Sequence, residues 1–292
     1  MRSRIGITLG DAAGIGPEVV HAALASERCP REVDFVIVGD YPPCEPGHPT
    51  RETARAAAAA LEEAVKRVAA AEIAAIVTAP IHKAHMYEIG FEYPGHTEFF
   101  AARTGVENFA MLLTGGKLTV ALVTIHIPLR RVPEVLSGDE IVRVGLLLHE
   151  FLRLRHRRTP RIAVAGLNPH AGESGTIGNE ESEIILPATR ELQRRLGDTA
   201  VVAGPFSPDT VFHYAASGLW DGVLCMYHDQ GLIPLKLHAF HDGVNVTLGL
   251  PFPRTSPDHG TAFDIAGKGI ARPDSMIAAM NLAAELVGTR TN

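Results

Sequence analysis

Short apolar runs alternate along this chain with longer stretches of helical period. Residues 4–9, 34–38 and 74–78 read as strands, and the Ala-rich stretch 51–71 is the clearest helix among them. Each run is rich in Val, Ile, Leu and Ala and bounded by Gly, Pro or charged residues, the pattern of a strand buried on both faces of a parallel sheet. Strands alternating with helices imply βαβ units. A polar, His-rich connection follows residue 78 and extends through Thr97. Two further strands are expected at 109–113 and 117–124, and the Thr114-Gly115-Gly116 spacer between them suggests a hairpin, so the sheet is expected to be mixed. A helix over 138–157, a strand from 161, a helix near 180–195, a strand at 200–203 and an amphipathic helix over 273–287 complete the order. There is no internal repeat, and residues 40–50 (DYPPCEPGHPT) form a Pro-rich loop.

Three of the apolar runs end on a histidine: 118–126 (LTVALVTIH), 161–170 (RIAVAGLNPH) and 222–228 (GVLCMYH). Parallel strands finish at one shared edge, and open α/β sheets bind ligands beyond the carboxyl ends of their strands. His126, His170 and His228 can therefore converge although they are far apart in sequence, and three imidazoles with an open position make a catalytic metal site. The alternative for any one of them is a surface or capping histidine, since the chain holds 14 His. Tyr227, Asp229 and Gln230 give His228 the most polar surroundings of the three.

Composition sets limits without choosing a function. At 292 residues and 46% hydrophobic content, the chain can build one large α/β domain or two smaller ones sharing a cleft. The net charge of −6 supplies no basic footprint. The one dense basic run, residues 153–161 (RLRHRRTPR), falls where a helix ends and reads as a solvated C-terminus complementing its dipole, so no nucleic-acid partner is expected. Cys29, Cys44 and Cys225 form neither a CxxC pair nor an even framework, which points to a reducing compartment, the cytoplasm. No segment reaches the roughly 18 uninterrupted apolar residues of a membrane span, and the amino terminus lacks the pattern of a secretory leader.

Polar residues in unexpected company mark further candidates. The first loop, Gly10 to Glu18 (GDAAGIGPE), joins a strand to a helix with Pro17 suited to the first helical turn, but it has neither GxGxxG spacing nor a Walker lysine. Asp11 there serves either as a turn acceptor or as a ligand contact. Lys236, Asn245 and Arg254 lie in otherwise apolar sequence, where charge is costly unless paired. Their partners are either carboxylates such as Asp229 and Asp258 or an anionic substrate. In Gly95-His96-Thr97-Glu98, Thr97 can cap a helix, and His96 can reach a ligand.

Taken together, these segments resemble a known family. The run Asp258 to Ala271 (DHGTAFDIAGKGIA) is similar to the nucleotide-binding segment of isocitrate and isopropylmalate dehydrogenases, and GDAAGIGPE to their first loop. More closely, TAPIHK at 78–83, GHTEFF at 95–100, LNPHAGE at 167–173, MYHDQGL at 226–232 and GVNVTLGLPFPRTSPDHGTA at 243–262 resemble the 4-hydroxythreonine-4-phosphate dehydrogenase family. The resemblance implies two α/β/α domains with a mixed, largely parallel sheet and a central cleft, here 1–95 with 260–292 and 96–259. It implies a homodimer with the active site at the subunit interface. By the same resemblance, His126, His170 and His228 hold one divalent metal ion, Zn foremost, with Mg, Mn, Co or Ni as alternatives. His96, Thr97, Lys236, Asn245 and Arg254 contact a small phosphorylated hydroxy acid. His259, Gly260, Thr261, Ala262 and Asp264 hold NAD or NADP, and Asp264 could repel a 2'-phosphate. Asp229 is the candidate catalytic residue, as a carboxylate that orients a metal-bound imidazole.

The implied reaction is oxidation and decarboxylation of 4-phosphohydroxy-L-threonine to 3-amino-2-oxopropyl phosphate, a step toward pyridoxal 5'-phosphate. Relatives acting on 4-phospho-D-threonate, 4-phosphoerythronate or a dihydrodiol dicarboxylate supply the alternative substrates. The chain departs from the family by being short after Asp40 and by carrying Ala12 for a proline and Ile125 for a threonine. A metal-dependent hydrolase or acyltransferase could use the same three histidines, because a metal-bound water is also a nucleophile. A non-catalytic metal or metabolite binder is the remaining class, separated from an enzyme by turnover alone.

Overall fold

The structure, a computed structural model, describes residues 2–290. Its strands, in chain order, are β1 (Arg4–Thr8), β2 (Asp34–Ile37), β3 (Ala75–Thr78), β4 (Ala110–Gly115), β5 (Leu118–Thr124), β6 (Arg161–Ala165), β7 (Val201–Phe206), β8 (Gly222–Tyr227), β9 (Val244–Leu248) and β10 (Arg254–Pro257). The chain divides into two compact units, one from the described residues up to Glu107 and from His241 onward, the other Asn108–Phe240.

In the first unit the strand order is β2-β1-β3-β10-β9, parallel except for the antiparallel pair of β9 and β10. The helices Arg51–Ala69 and Asp274–Arg290 pack against these strands. The first of them starts as a capping box, with Thr50 Oγ1 accepting from Thr53 N at 3.2 Å and Thr53 Oγ1 accepting from Thr50 N at 3.1 Å. Its Ala54, Ala57, Leu61 and Ala64 repeat at helical spacing and are buried beside Ile76, Phe99 and Phe100. Two aromatic residues from the helix His96–Thr104 thus sit in this core, which is why residues 96–107 belong to the first unit.

In the second unit the order is β4-β5-β8-β6-β7, with β4 and β5 forming the expected hairpin and the other pairs parallel. Its core joins Leu113, Val120, Leu122, Ala163, Val223 and Cys225 from four strands. The helix Gly138–His156 is capped by Ser137, whose Oγ accepts from Glu140 N at 3.3 Å, and carries Arg153, Arg155 and His156 in its last turn. Beyond that turn Arg158 and Arg161 meet Asp221, so the basic run is a helix end with its own carboxylate.

The unit boundaries fall at 107/108 and 240/241, whereas the sequence places them at 95/96 and 259/260. The difference lies in β10, which pairs with β3, and β9, which pairs with β10, so that residues 241–259 return to the first unit. These two strands and the helix His228–Ala239 are absent from the sequence-derived order. Polar residues at 245, 254, 255 and 256 break the apolar pattern of the strands, and Pro234 interrupts that of the helix.

Candidate active site

The carboxyl ends of β5, β8 and β6 lie side by side in the second unit. Thr124 Oγ1 donates to Met226 O at 2.7 Å, tying β5 to β8. The buried Gln230 amide ties β8 to β6, accepting from Met226 N at 2.7 Å and donating to Gly166 O at 2.6 Å. His126 follows β5, His228 follows β8, and the loop bearing His170 follows β6. The His126 and His228 rings are 5.5 Å apart, centroid to centroid. Asp229 Oδ1 is 2.7 Å from His228 Nδ1, which fixes the tautomer that leaves Nε2 to act as a donor atom toward a ligand. A cavity of about 190 Å³ opens there, lined by Thr124, Ile125, His126, Tyr227, His228 and Asp229 among others.

His170 lies in the loop after β6. It begins six consecutive residues with positive φ, His170 to Gly175, four of which are not glycine. His126 is also left-handed, at φ 51°. Left-handed backbone costs a non-glycine residue about 1–2 kcal/mol, so such a run persists only where its surroundings hold it. Glu181, buried at 5% exposure, accepts from the Leu167 and Asn168 backbone N–H groups at 2.7 Å each and from Asn168 Nδ2 at 3.0 Å. A Cβ on Gly172 would come within 2.6 Å of the same carboxylate. Glu181 opens a π-helical turn, a local widening frequent at functional sites. The sequence offered one signal for it, a Glu pair shortly after LNPHAGE.

Two imidazoles, one with an orienting carboxylate, suit the first ligands of a divalent cation. Among the described residues, however, no three His, Cys, Asp or Glu side chains gather closely enough to chelate one. His126 and His228 are the two candidate donors that the ring geometry brings together within one chain. Lys236 lies half-buried in the last turn of the helix His228–Ala239.

The remaining candidate substrate residues meet in the first unit, around a buried guanidinium. Arg254 is 2% exposed; its Nη2 donates to Thr78 Oγ1 at 2.6 Å and its Nη1 to Thr247 Oγ1 at 3.3 Å, and its Nε has no partner. The Phe100 ring lies 6.0 Å below it. Burial pushes its pKa down to about 9, partly offset by Glu98, so it stays charged at neutral pH. Among the described residues no carboxylate forms an ion pair with it. The sequence alternative, pairing with Asp229 or Asp258, does not occur for Arg254.

His96 Nε2, which feels the Arg254 charge, and Asn245 Oδ1, two residues before Thr247 on β9, are also enclosed without partners. Thr97 does not cap its helix: the N-cap is Gly95, and Thr97 Oγ1 lies 3.0 Å from Thr247 Oγ1 instead. A buried, under-satisfied cation, with an unpartnered amide oxygen and imidazole in the same unit, has the chemistry to receive an anion carrying hydroxyl or amino groups. Thr78 and Thr247 belong to it and were not singled out in the sequence, although both lie inside the quoted motifs.

Burial, then the charges of Arg254 and Lys83, hold the His96 imidazole well below its usual pKa, so it is neutral in the native state. Above the unfolded pKa of about 6.5 this costs nothing; below it, the unfolded chain binds a proton the native state refuses. Stability is expected to fall as pH drops below that value, by up to about 1.4 kcal/mol per pH unit. Urea melts between pH 7.5 and 5 should show this slope reduced in His96→Gln.

The cofactor candidates form a loop fixed by the first helix. Ile15 N donates to Thr261 O at 2.9 Å, and Glu18 accepts from Gly267 N at 2.7 Å and Ala271 N at 3.2 Å. Asp11 Oδ1 accepts from Ala13 N at 3.1 Å, the turn-acceptor role. Gly260 and Asp264 are exposed, Thr261 is buried, and Ala262 is left-handed at φ 43°. The shortened Pro-rich segment packs here too: Gly47 N donates to Ala13 O at 2.7 Å, and Pro46 and Gly47 lie against Gly267 and Phe263.

The fold is that of the β-decarboxylating dehydrogenases. Isocitrate dehydrogenase from Methylococcus capsulatus superposes with a TM-score of 0.56 at 17% identity over 99% of this chain and 87% of that one. The chain belongs to the family of the pyridoxal phosphate biosynthetic protein PdxA, whose profile matches residues 12–283. It is 44% identical to a 4-hydroxythreonine-4-phosphate dehydrogenase of Desulfosudis oleivorans, covering 97% of this chain and 95% of that protein. A protein of the same name from Caulobacter vibrioides is 46% identical, with 97% and 89% covered. The crystal structure of 4-hydroxythreonine-4-phosphate dehydrogenase from Klebsiella pneumoniae superposes with a TM-score of 0.82 at 38% identity, covering 98% of this chain and 99% of that one. A terephthalate 1,2-cis-dihydrodiol dehydrogenase from Burkholderia xenovorans is 27% identical, with a TM-score of 0.70 and 98% of both chains covered.

Proposed function

We propose that this protein oxidises and decarboxylates 4-phosphohydroxy-L-threonine with NAD(P), giving 3-amino-2-oxopropyl phosphate for pyridoxal 5'-phosphate synthesis. The observation that carries the reading is the buried Arg254 without a carboxylate, surrounded by Thr97, His96 and Asn245, in a chain with relatives of that name. Arg254 and Thr97 bind the anionic end of the substrate, and Asn245 and His96 bind its neutral polar groups. Lys236 supplies a further cationic contact. The segment from His259 to Asp264 receives the adenosine side of the nucleotide, and the alcohol carbon gives its hydride to the nicotinamide. The resulting ketone lies β to the carboxylate, so the C–C bond breaks with loss of CO2 and the electron pair passes toward the ketone oxygen.

His126, His170 and His228 would hold one divalent metal ion, Zn in the first place, which when bound lowers the pKa of the substrate hydroxyl and polarises the ketone. Asp229 keeps the His228 ring oriented. A single chain offers two of these imidazoles together, which supports a homodimer whose second copy completes the site. The exposed apolar face of the helix His228–Ala239 supports the same assembly, with Ile233 at 66% and Leu237 at 89% exposure one turn apart. Leu237→Asp is expected to shift the protein to monomer in light scattering and to lower activity with it.

No helix among the described residues is long and apolar enough to cross a membrane, and three free cysteines support a cytoplasmic location. A dihydrodiol dicarboxylate or 4-phospho-D-threonate is the second reading of the substrate, supported by the likeness to the Burkholderia dihydrodiol dehydrogenase. NADH formation from zinc-loaded protein with 4-phosphohydroxy-L-threonine, set against 4-phospho-D-threonate, tests both. Turnover of the first in preference to the second is expected; absence of NADH from the first overturns the assignment.

A further inference from the structure

Hydrogen-bond direction around Arg254 turns on Thr247, a residue of this group to which the sequence assigned no role. Thr247 Oγ1 lies 3.3 Å from Arg254 Nη1 and 3.0 Å from Thr97 Oγ1. The antiparallel register that pairs Val246 with Thr255 and Asn245 with Ser256 continues to set Thr247 opposite Arg254. Thr247 is 4% exposed and Thr97 9%, so neither hydroxyl is readily served by bulk water.

A guanidinium has donors only, so Thr247 Oγ1 accepts from Arg254. The Thr247 proton must then find an acceptor, and among the described residues Thr97 Oγ1 is the one in reach. Either direction leaves one hydroxyl proton over: if Thr97 donates, it is the proton of Thr247, enclosed beside the guanidinium, and if Thr247 donates, it is that of Thr97, which an anion at this site can accept. With an anion beside Thr97, the chain of bonds therefore runs from Arg254 to Thr247 to Thr97 and on to that ligand.

We propose that Thr247 is a positioning residue that makes Thr97 a hydrogen-bond donor to the substrate's anionic group while holding the Arg254 guanidinium beside it. This rests on the reading of Arg254 and Thr97 as the anion-binding pair. It also gives the site a selectivity: two aligned donors, one of them charged, favour a phosphate or carboxylate over an amide or hydroxyl of similar shape.

Thr247→Val keeps the side-chain shape and removes the relay. Its KM for 4-phosphohydroxy-L-threonine, and its Ki for inorganic phosphate as a competitive inhibitor, are expected to rise about tenfold, with kcat within about twofold of wild type. Thr247→Ser should restore both constants to within about twofold, and Thr97→Val, which leaves the Arg254 acceptor in place, should reproduce the tenfold rise. A Thr247→Val enzyme with wild-type KM and phosphate Ki overturns the proposal, as does a loss confined to kcat. Should Thr247→Val fail to fold, a wild-type phosphate Ki in Thr97→Val overturns it equally. Arg254→Met separates this from the underlying reading: unchanged phosphate inhibition there would mean that the anion binds elsewhere, whatever Thr247 does.

Discussion

Replacing Arg254 with methionine is expected to lower kcat/KM for the phosphorylated substrate about a thousandfold and, at the same time, to make the ligand-free protein more stable. The two effects have one origin. In the empty site the guanidinium is buried at 2% exposure with no carboxylate, and its bonds to Thr78 and Thr247 replace only part of its lost hydration. A neutral side chain of similar volume avoids that desolvation, and replacing buried charges by apolar residues often gains 1–4 kcal/mol; about 1 kcal/mol is expected here, because two threonine acceptors are orphaned. In the occupied site the same charge meets an anion in surroundings of low polarity, and its removal costs about 4 kcal/mol of binding, a factor of about a thousand. Thermal melts of both proteins, without and with substrate, check the two signs. A variant that melts lower than wild type without ligand yet keeps its KM would sink the receptor reading.

His228→Ala is the other change of large effect. Removing one imidazole of the His126 and His228 pair should leave purified protein without stoichiometric zinc after dialysis and reduce kcat by about a thousandfold or more, the several kcal/mol a metal contributes. Asp229→Asn should keep the imidazole but lose its orienting carboxylate, weakening metal retention about 10–100-fold. Zinc content by atomic emission reads both. Full zinc occupancy in the alanine variant would remove His228 from the ligand set and return it to the capping role its sequence position also allowed.

Legibility of the fold followed the apolar runs. β1, β5, β6 and β8 were each visible as short apolar stretches ending in polar turns, because burial on both faces favours apolar residues throughout. β9 and β10 were hidden for the opposite reason: Asn245, Thr247, Arg254 and Ser256 break the apolar pattern, and the first three belong to the anion site proposed above. The same trade explains the candidate site. Histidines at strand ends could be placed on one edge from sequence, since parallel strands share it, but the conformation of the His170 loop could not, because it is a left-handed backbone that side-chain patterns do not encode. Thr78 and Thr247 looked like ordinary β-branched strand residues; only register shows them bonded to the guanidinium. Thr97 looked like a helix cap by its spacing, and the competing hydroxyl of Thr247, 150 positions away, has that bond instead.

The left-handed run from His170 to Gly175 has a consequence for anyone who would improve this protein. Its strain is a reservoir that random substitution can tap: glycine at Ala171 or Ser174 would relax the backbone and raise the melting temperature without disturbing any strand. Selection for heat resistance alone would thus drift toward a looser segment, in which His170 samples many positions. Under the metal role proposed for His170, hardiness and catalysis are set against each other at this segment, and a directed-evolution campaign would need to screen for turnover from its first round.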